Sequence, residues 1–286
     1  PRYYKDALDK YGITMNVFRV GEYKSAVEPF LRNDMSAEAK RSNKVWLDQL
    51  WAGFLTEIAE RREMSVAALQ QSIERMPQLL EEYQGDAAKL ALEKGFVTAL
   101  ETPEQFEVRV AVVAGTPDDG EGYNVLSYGS YLGAAHRLVA ATAQGVELGR
   151  EVGLIYAVGN IVDGYQPPGT VGGESVAELL KQARDDDNIA SVVLRVDSPG
   201  GSVTASERIR REVVALQKAG KPVVASMGSY AASGGYWISM NADKILASPN
   251  TLTGSIGIFG LLPNLSPALN KHGISLDGVR TAPWPS

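Results

Sequence analysis

The chain has 286 residues, 44% of them hydrophobic and 22% charged, which suits a folded chain of about two domains and excludes a disulfide miniprotein or a disordered tail. Lysine and arginine total 28 against 34 acidic residues, a net charge of -6 with no basic block, so nucleic acid is not an expected partner. Cysteine is absent and histidine occurs twice, which excludes thiol nucleophiles, disulfides and multi-histidine metal sites; no metal or other cofactor is expected.

Two uncharged stretches, 222–242 and 245–270, exceed the ~20 residues that cross a bilayer, but glycine, proline and serine interrupt both, and they read as buried strand-turn-helix segments. The chain opens at Pro1 and stops in a loop-like segment, so it is expected to be a piece of a longer protein, with any signal or anchor outside it.

In chain order, the first feature is half of a repeat. Ala7-Leu-Asp-Lys-Tyr-Gly-Ile-Thr-Met-Asn16 matches Ala268-Leu-Asn-Lys-His-Gly-Ile-Ser-Leu-Asp277 at an offset of 261 residues, with five of ten positions identical. Arg19 and Arg280 keep the same offset, while Lys24 falls opposite Pro285. The expected organisation is a duplicated domain, seen here as the end of copy one and most of copy two.

Residues 35–83 read as helix, with Trp46, Leu50, Phe54 and Ile58 at helical spacing and Ser36 and Ser65 as N-caps. Gly85-Asp86-Ala87 restarts a helix that is expected to run through Leu100, and 101–150 shows no element pattern. From residue 151 short apolar runs alternate with amphipathic stretches: strands at 152–158, 189–196 and 222–226, helices at 174–184 and 203–218. That alternation predicts an α/β fold with mostly parallel strands. The expected domains are 1–34, the end of a first α/β repeat carrying a lysine; 35–100, an inserted helical subdomain; 101–150, a linking segment; and 151–286, a second α/β repeat carrying a serine.

Two motifs in the second repeat suit chemistry. The strand at 189–196 runs into Asp197-Ser-Pro-Gly-Gly-Ser-Val203, where two glycines at a strand-to-helix turn can present amides to an oxyanion; the plain alternative is a tight turn. The strand at 222–226 leads into Ala231-Ala-Ser-Gly-Gly-Tyr-Trp237, where small neighbours leave room for a substrate to reach Ser233; the plain alternative is a cap. A nucleophilic serine needs a base. His272 takes the repeat position of Tyr11 and reads as a helix-terminal residue, and His136 lies in the unpatterned segment, so a Ser/His/Asp triad has little support. Lys24, the asymmetric residue of the repeat, is the other candidate, provided it is neutral.

These two motifs, with Leu252-Thr-Gly-Ser-Ile-Gly257 and Val20-Gly-Glu-Tyr-Lys-Ser-Ala-Val27, make the chain similar over nearly its whole length to the signal peptide peptidase A (protease IV) family, of the long two-repeat bacterial type. The resemblance implies a ClpP/crotonase-like fold of repeated βα domains and a serine endopeptidase with a serine/lysine dyad. It implies Ser233 as nucleophile, Lys24 as general base, Ser255 as a hydroxyl that orients the lysine, and the amides of Gly201 and Gly234 as the oxyanion hole. It further implies extended apolar peptides such as released signal peptides as substrates and a homo-oligomer, with a tetramer the expected size. Its location would be the bacterial inner membrane, facing the periplasm, through a segment absent from this chain. A crotonase-type acyl-CoA enzyme and a non-catalytic scaffold are the alternative readings.

Chemistry makes one demand on this assignment. A solvated lysine has a pKa of about 10.4, so at pH 7 only about one molecule in 2,500 carries a free amine. Bringing the value to ~7 to 8 costs the ammonium roughly 3 to 5 kcal/mol, which requires burial with no carboxylate nearby. Glu22, two residues from Lys24, is therefore expected to point to solvent, or the chain to bend near Gly21.

Overall fold

The computed structural model describes residues 2–21, 24–118, 120, 122–142, 149, 151–275 and 277–279. Along the chain run α1 (Lys5–Tyr11), β1 (Thr14–Val20), α2 (Glu28–Leu31), α3 (Ala37–Arg61), α4 (Val66–Glu74), α5 (Met76–Glu82), α6 (Ala87–Glu93), α7 (Pro103–Ala114) and α8 (Tyr128–Thr142). They continue with β2 (Glu151–Val158), β3 (Ile161–Val162), β4 (Val171–Gly172), α9 (Gly173–Asp185), β5 (Ile189–Ser198), α10 (Val203–Lys218) and β6 (Val223–Ala232). The last are α11 (Gly234–Ser239), β7 (Lys244–Leu246), β8 (Leu252–Gly254), β9 (Ile258–Asn264) and α12 (Ser266–Lys271). Internal contacts divide the chain into one compact unit of residues 1–49 and 149–286 and a second of 50–148.

The first unit is built on a parallel sheet in the order β2-β5-β6-β7, with β8 also pairing with β6. Its alternation is legible in β5, where Val192, Leu194, Val196 and Ser198 are all buried and point to one face. Against that face lie α9, through Val176 and Leu180, and α10, through Ala205, Ile209, Val213 and Leu216, one helical stripe. Removing a side chain such as Ile209 from this core is worth about 2–5 kcal/mol. The predicted α/β pattern is therefore present, and the helix expected at 203–218 has those bounds.

A separate antiparallel pair, β1 with β9, runs from Thr14 opposite Asn264 to Val20 opposite Ile258. It joins the two repeat segments. Both segments end a helix in the same way: Gly12 and Gly273 have φ 73, Ile13 donates to the Leu8 carbonyl at 2.8 Å, and Ile274 donates to the Leu269 carbonyl at 3.0 Å. The aminium group of Lys271 donates to the Lys10 carbonyl at 3.2 Å, so the two helix ends lie side by side. Arg280 and Pro285, the outer positions of the repeat, lie outside the described residues.

Residues 35–142 differ from their sequence reading in three places. The helical reading of 35–83 is present as three helices: the break where Glu63 takes φ 53 precedes the expected cap Ser65, a further break falls at Arg75, and Ser36 and Ser65 accept from the amides of Ala39 and Ala68. The helix begun at Asp86 ends at Glu93, short of Leu100. A small core of Leu55, Ala59 and Leu69, with Ile73 and Phe96, holds this part together. Residues 103–114 and 128–142, where no element was legible, are helices. Val108, Val112 and Val113 of α7 are exposed, so no apolar stripe marks the helix; its legible signal is the capping box, Thr102 with Gln105, ahead of Pro103.

Candidate active site

β6 delivers the serine. At its end Ser233 turns the chain into α11 with φ 53 and ψ -117, a conformation that costs a non-glycine residue about 1–3 kcal/mol. Its amide donates to the Gly254 carbonyl at 2.8 Å, which ties the turn to β8. The hydroxyl does not cap α11, so the plain role of a cap is not the one it takes.

Lys24 approaches from the other repeat segment. The chain bends at Gly21, φ 115, where an added Cβ would lie 2.8 Å from the Ile256 carbonyl oxygen; only glycine lets the two backbones run this close. The expected bend is thus present, while Glu22 lies outside the described residues. Lys24 is buried, with 4% of its surface exposed. Its Nζ lies 2.9 Å from Ser233 Oγ, 2.9 Å from the Ser255 carbonyl oxygen and 3.1 Å from Ser255 Oγ. Burial pushes the amine below the ordinary lysine range.

A small cavity of about 100 Å³ encloses this contact, lined by Ser206, Trp237, Val203, Ile258 and Phe259 as well as by Lys24 and Ser233. Among the described residues no carboxylate lines it. The amides of Gly201 and Gly234 border the same cavity, and neither donates to an acceptor among the described residues. Gly201 reaches this place by pressing on the start of β3: its Cβ, if present, would sit 1.9 Å from the Ile161 carbonyl oxygen, which instead accepts from Ser202 at 2.8 Å. The support from Ile161 was not legible in the sequence, because it is a backbone contact 40 residues back along the chain with no side-chain signature.

All five residues singled out beforehand, Ser233, Lys24, Ser255, Gly201 and Gly234, therefore meet in one place. His272 ends α12, as its repeat position suggested. On the far side of Ser255 a groove of about 850 Å³ is lined by Ala232, Tyr230, Leu252 and Thr253, but also by Arg19 and Glu28. The residues around the two serines take different places: Met227 and Ala231 are buried core, Trp237, Ile258 and Phe259 face the cavity, and the groove carries charge.

Comparison with known proteins is decisive at this point, since residues 1–110 and 215–285 match Peptidase family S49. The chain belongs to peptidase family S49. It is 43% identical over 281 residues to Protease 4 of Salmonella typhi, covering 98% of this chain and 44% of that protein. Against Protease 4 of Haemophilus influenzae it is 40% identical over 279 residues, covering 98% and 45%. A chloroplastic serine protease of Arabidopsis thaliana is 29% identical over 281 residues, covering 95% and 39%. The S49 chain thus spans under half the length of these curated relatives. The resemblance drawn from its glycine-flanked motifs is to the right family.

Proposed function

We propose that this chain carries the catalytic centre of a serine endopeptidase that cleaves extended, apolar peptides such as released signal peptides through an acyl-enzyme. The observation that carries the reading is the 2.9 Å approach of Lys24 Nζ to Ser233 Oγ inside a cavity that no carboxylate lines among the described residues. Of the three partners of Nζ, the Ser255 carbonyl can only accept and Ser255 Oγ takes a second N–H. The lone pair of the neutral amine then faces the Ser233 hydroxyl.

In the proposed reaction Ser233 Oγ attacks the scissile carbonyl carbon as its proton passes to Lys24 Nζ. The developing oxyanion accepts from the amides of Gly201 and Gly234, each donor being worth about 10²–10³ in rate. The Lys24 ammonium gives its proton to the leaving amine, which departs and leaves an ester on Ser233. Water, deprotonated by the same amine, hydrolyses that ester and restores the dyad. An acyl-CoA enzyme or a scaffold has no use for a buried lysine held against a serine.

The same reading extends to the whole protein. We propose a ClpP/crotonase-like fold duplicated in tandem, for which the matched helix ends at Gly12 and Gly273 are support. The assembly is a homo-oligomer, a tetramer in the simplest case, attached to the bacterial inner membrane and facing the periplasm through a segment outside this chain. No described helix here is long and apolar enough to cross a membrane.

The test is labelling with a fluorophosphonate followed by mass spectrometry. One adduct on Ser233, lost in Ser233→Ala and in Lys24→Met, is the expected result. A folded chain that takes up no label, or a label on another serine, would overturn the assignment.

A further inference from the structure

Two consecutive residues of α10 lie under the first turn of α11. Ser206 is buried, donates to the Ser202 carbonyl at 2.7 Å, and faces Gly234 so closely that an added Cβ there would lie 2.6 Å from its Oγ. Glu207 takes the next place, and its Oε2 accepts from the Trp237 indole Nε1 at 3.0 Å. Arg210 grips the same carboxylate through Nε and Nη2, both at 2.7 Å, and Arg211 adds a bond from Nε at 3.1 Å. Arg210 is itself held, donating from Nη1 to Asn241 Oδ1 at 2.9 Å. The Arg210 bonds, with the indole N–H, hold the Glu207 carboxyl down to about 2, so it is an ionised acceptor through the whole neutral range.

Trp237 is the part of this cluster that reaches the catalytic centre. Trp237 lines the cavity that holds Lys24, and its amide donates to the Ser233 carbonyl at 2.9 Å, so it shares one helical turn with the nucleophile. An indole fixed at its N–H keeps one rotamer; released, the ring can swing and admit water. Water at Lys24 would restore the solvation that burial removes.

We propose that Glu207 is a positioning residue, which acts through the Trp237 indole to keep the wall of the dyad cavity closed and so keeps water away from Lys24. This rests on the reading of Lys24 as the base. Among the described residues, the groups that face Lys24 from the elements around it are Ser255, Ser233, Ser206 and Trp237, with apolar Ile258 and Phe259 from β9; none of these is charged. Charged Arg19, Glu28, Arg32 and Glu38 line the groove beyond Ser255, and Glu207, Arg210 and Arg211 stand behind the indole.

The sign of the effect separates this role from a through-space one. Loss of the Glu207 charge alone would leave two guanidinium groups nearby and lower the lysine's pKa, whereas loss of the wall would raise it. The experiment is the pH dependence of fluorophosphonate labelling of Ser233 in the full chain. In Glu207→Ala the midpoint is expected to move up by about one pH unit, a roughly tenfold loss of rate at neutral pH. Trp237→Phe, which keeps a ring without the N–H, should move it likewise, and adding Glu207→Ala to that variant should move it no further. Glu207→Gln retains an oxygen for the indole and should stay at the parent midpoint or slightly below it, without the upward move. Should Glu207→Ala fail to fold, the Trp237→Phe and Glu207→Gln pair carries the same test. An unchanged or lowered midpoint in Glu207→Ala and in Trp237→Phe, or a lowered melting temperature alone, would overturn the proposal. Failure of the dyad itself would show in the parent chain, as no label on Ser233 or a rate independent of pH.

Discussion

At the scale of single residues, the catalytic demand falls on Lys24. Its amine is pushed below its ordinary value by burial, so activity should rise with pH through a midpoint below the value of about 10.4 for a solvated lysine. A midpoint at the solvated value, measured on labelling or peptide turnover, would show a lysine in water. Lys24→Arg should be inactive despite preserving charge, since a guanidinium does not give up its proton in this range. The same burial has a consequence for stability. With the folded-state pKa depressed, the unfolded chain binds more protons in the window between the folded and unfolded values, so the contribution of Lys24 to stability improves as pH rises through that window. Lys24→Met removes the charge; its melting temperature should exceed that of the parent at neutral pH, with the gap closing toward pH 10. A Lys24→Met chain less stable at every pH would mean that the bonds to Ser255 outweigh the desolvation of the ammonium.

At the scale of elements, the two strand-to-helix turns matter more than the helices they start. The turn after β5 carries Gly201 against the Ile161 carbonyl, and the turn after β6 carries Ser233 with a positive φ. In Gly201→Ala the new Cβ meets backbone, which cannot swing aside, so the turn itself must shift. The expected result is a fall in kcat of about 10²–10³, the worth of one oxyanion donor, without a comparable rise in KM. Equal loss in KM would instead place Gly201 in ground-state binding. α7 behaves differently. Its exposed valines contribute little, and Val112→Ala should change stability by no more than about 0.5 kcal/mol, whereas Thr102→Ala, which opens the capping box, should cost about 0.5–2 kcal/mol. Thermal unfolding followed by circular dichroism measures both.

At the scale of the whole molecule, Lys24 and Ser233 are 209 residues apart in sequence and meet within one chain. The pairing of β1 with β9, and the contact of Lys271 with the carbonyl of Lys10, bring the two repeat segments together and carry Gly21 and Lys24 to the end of β8. Mixing Lys24→Ala with Ser233→Ala protein should therefore restore no activity even where subunits exchange. Recovery on mixing would mean that the functional dyad is shared between chains.

The sequence by itself determined the parallel α/β pattern after residue 151, because strands and helices packed on one core must alternate their apolar residues with the period of their own geometry. It also marked the glycine-flanked turns and, through the asymmetry of the repeat, Lys24, since a tight turn or a missing partner leaves its mark in residue type. Only the tertiary structure showed that 103–114 and 128–142 are helices, that a second break falls at Arg75, and that Ile161 supports Gly201 through backbone alone. It also placed charged Arg19 and Glu28 along the groove beyond Ser255, and set Glu207 of α10 behind Trp237 of α11. The physical reason is the same in each case: a contact between segments distant along the chain, made by backbone atoms or by one polar pair, imposes no periodicity on either segment, and so only the folded chain makes it visible.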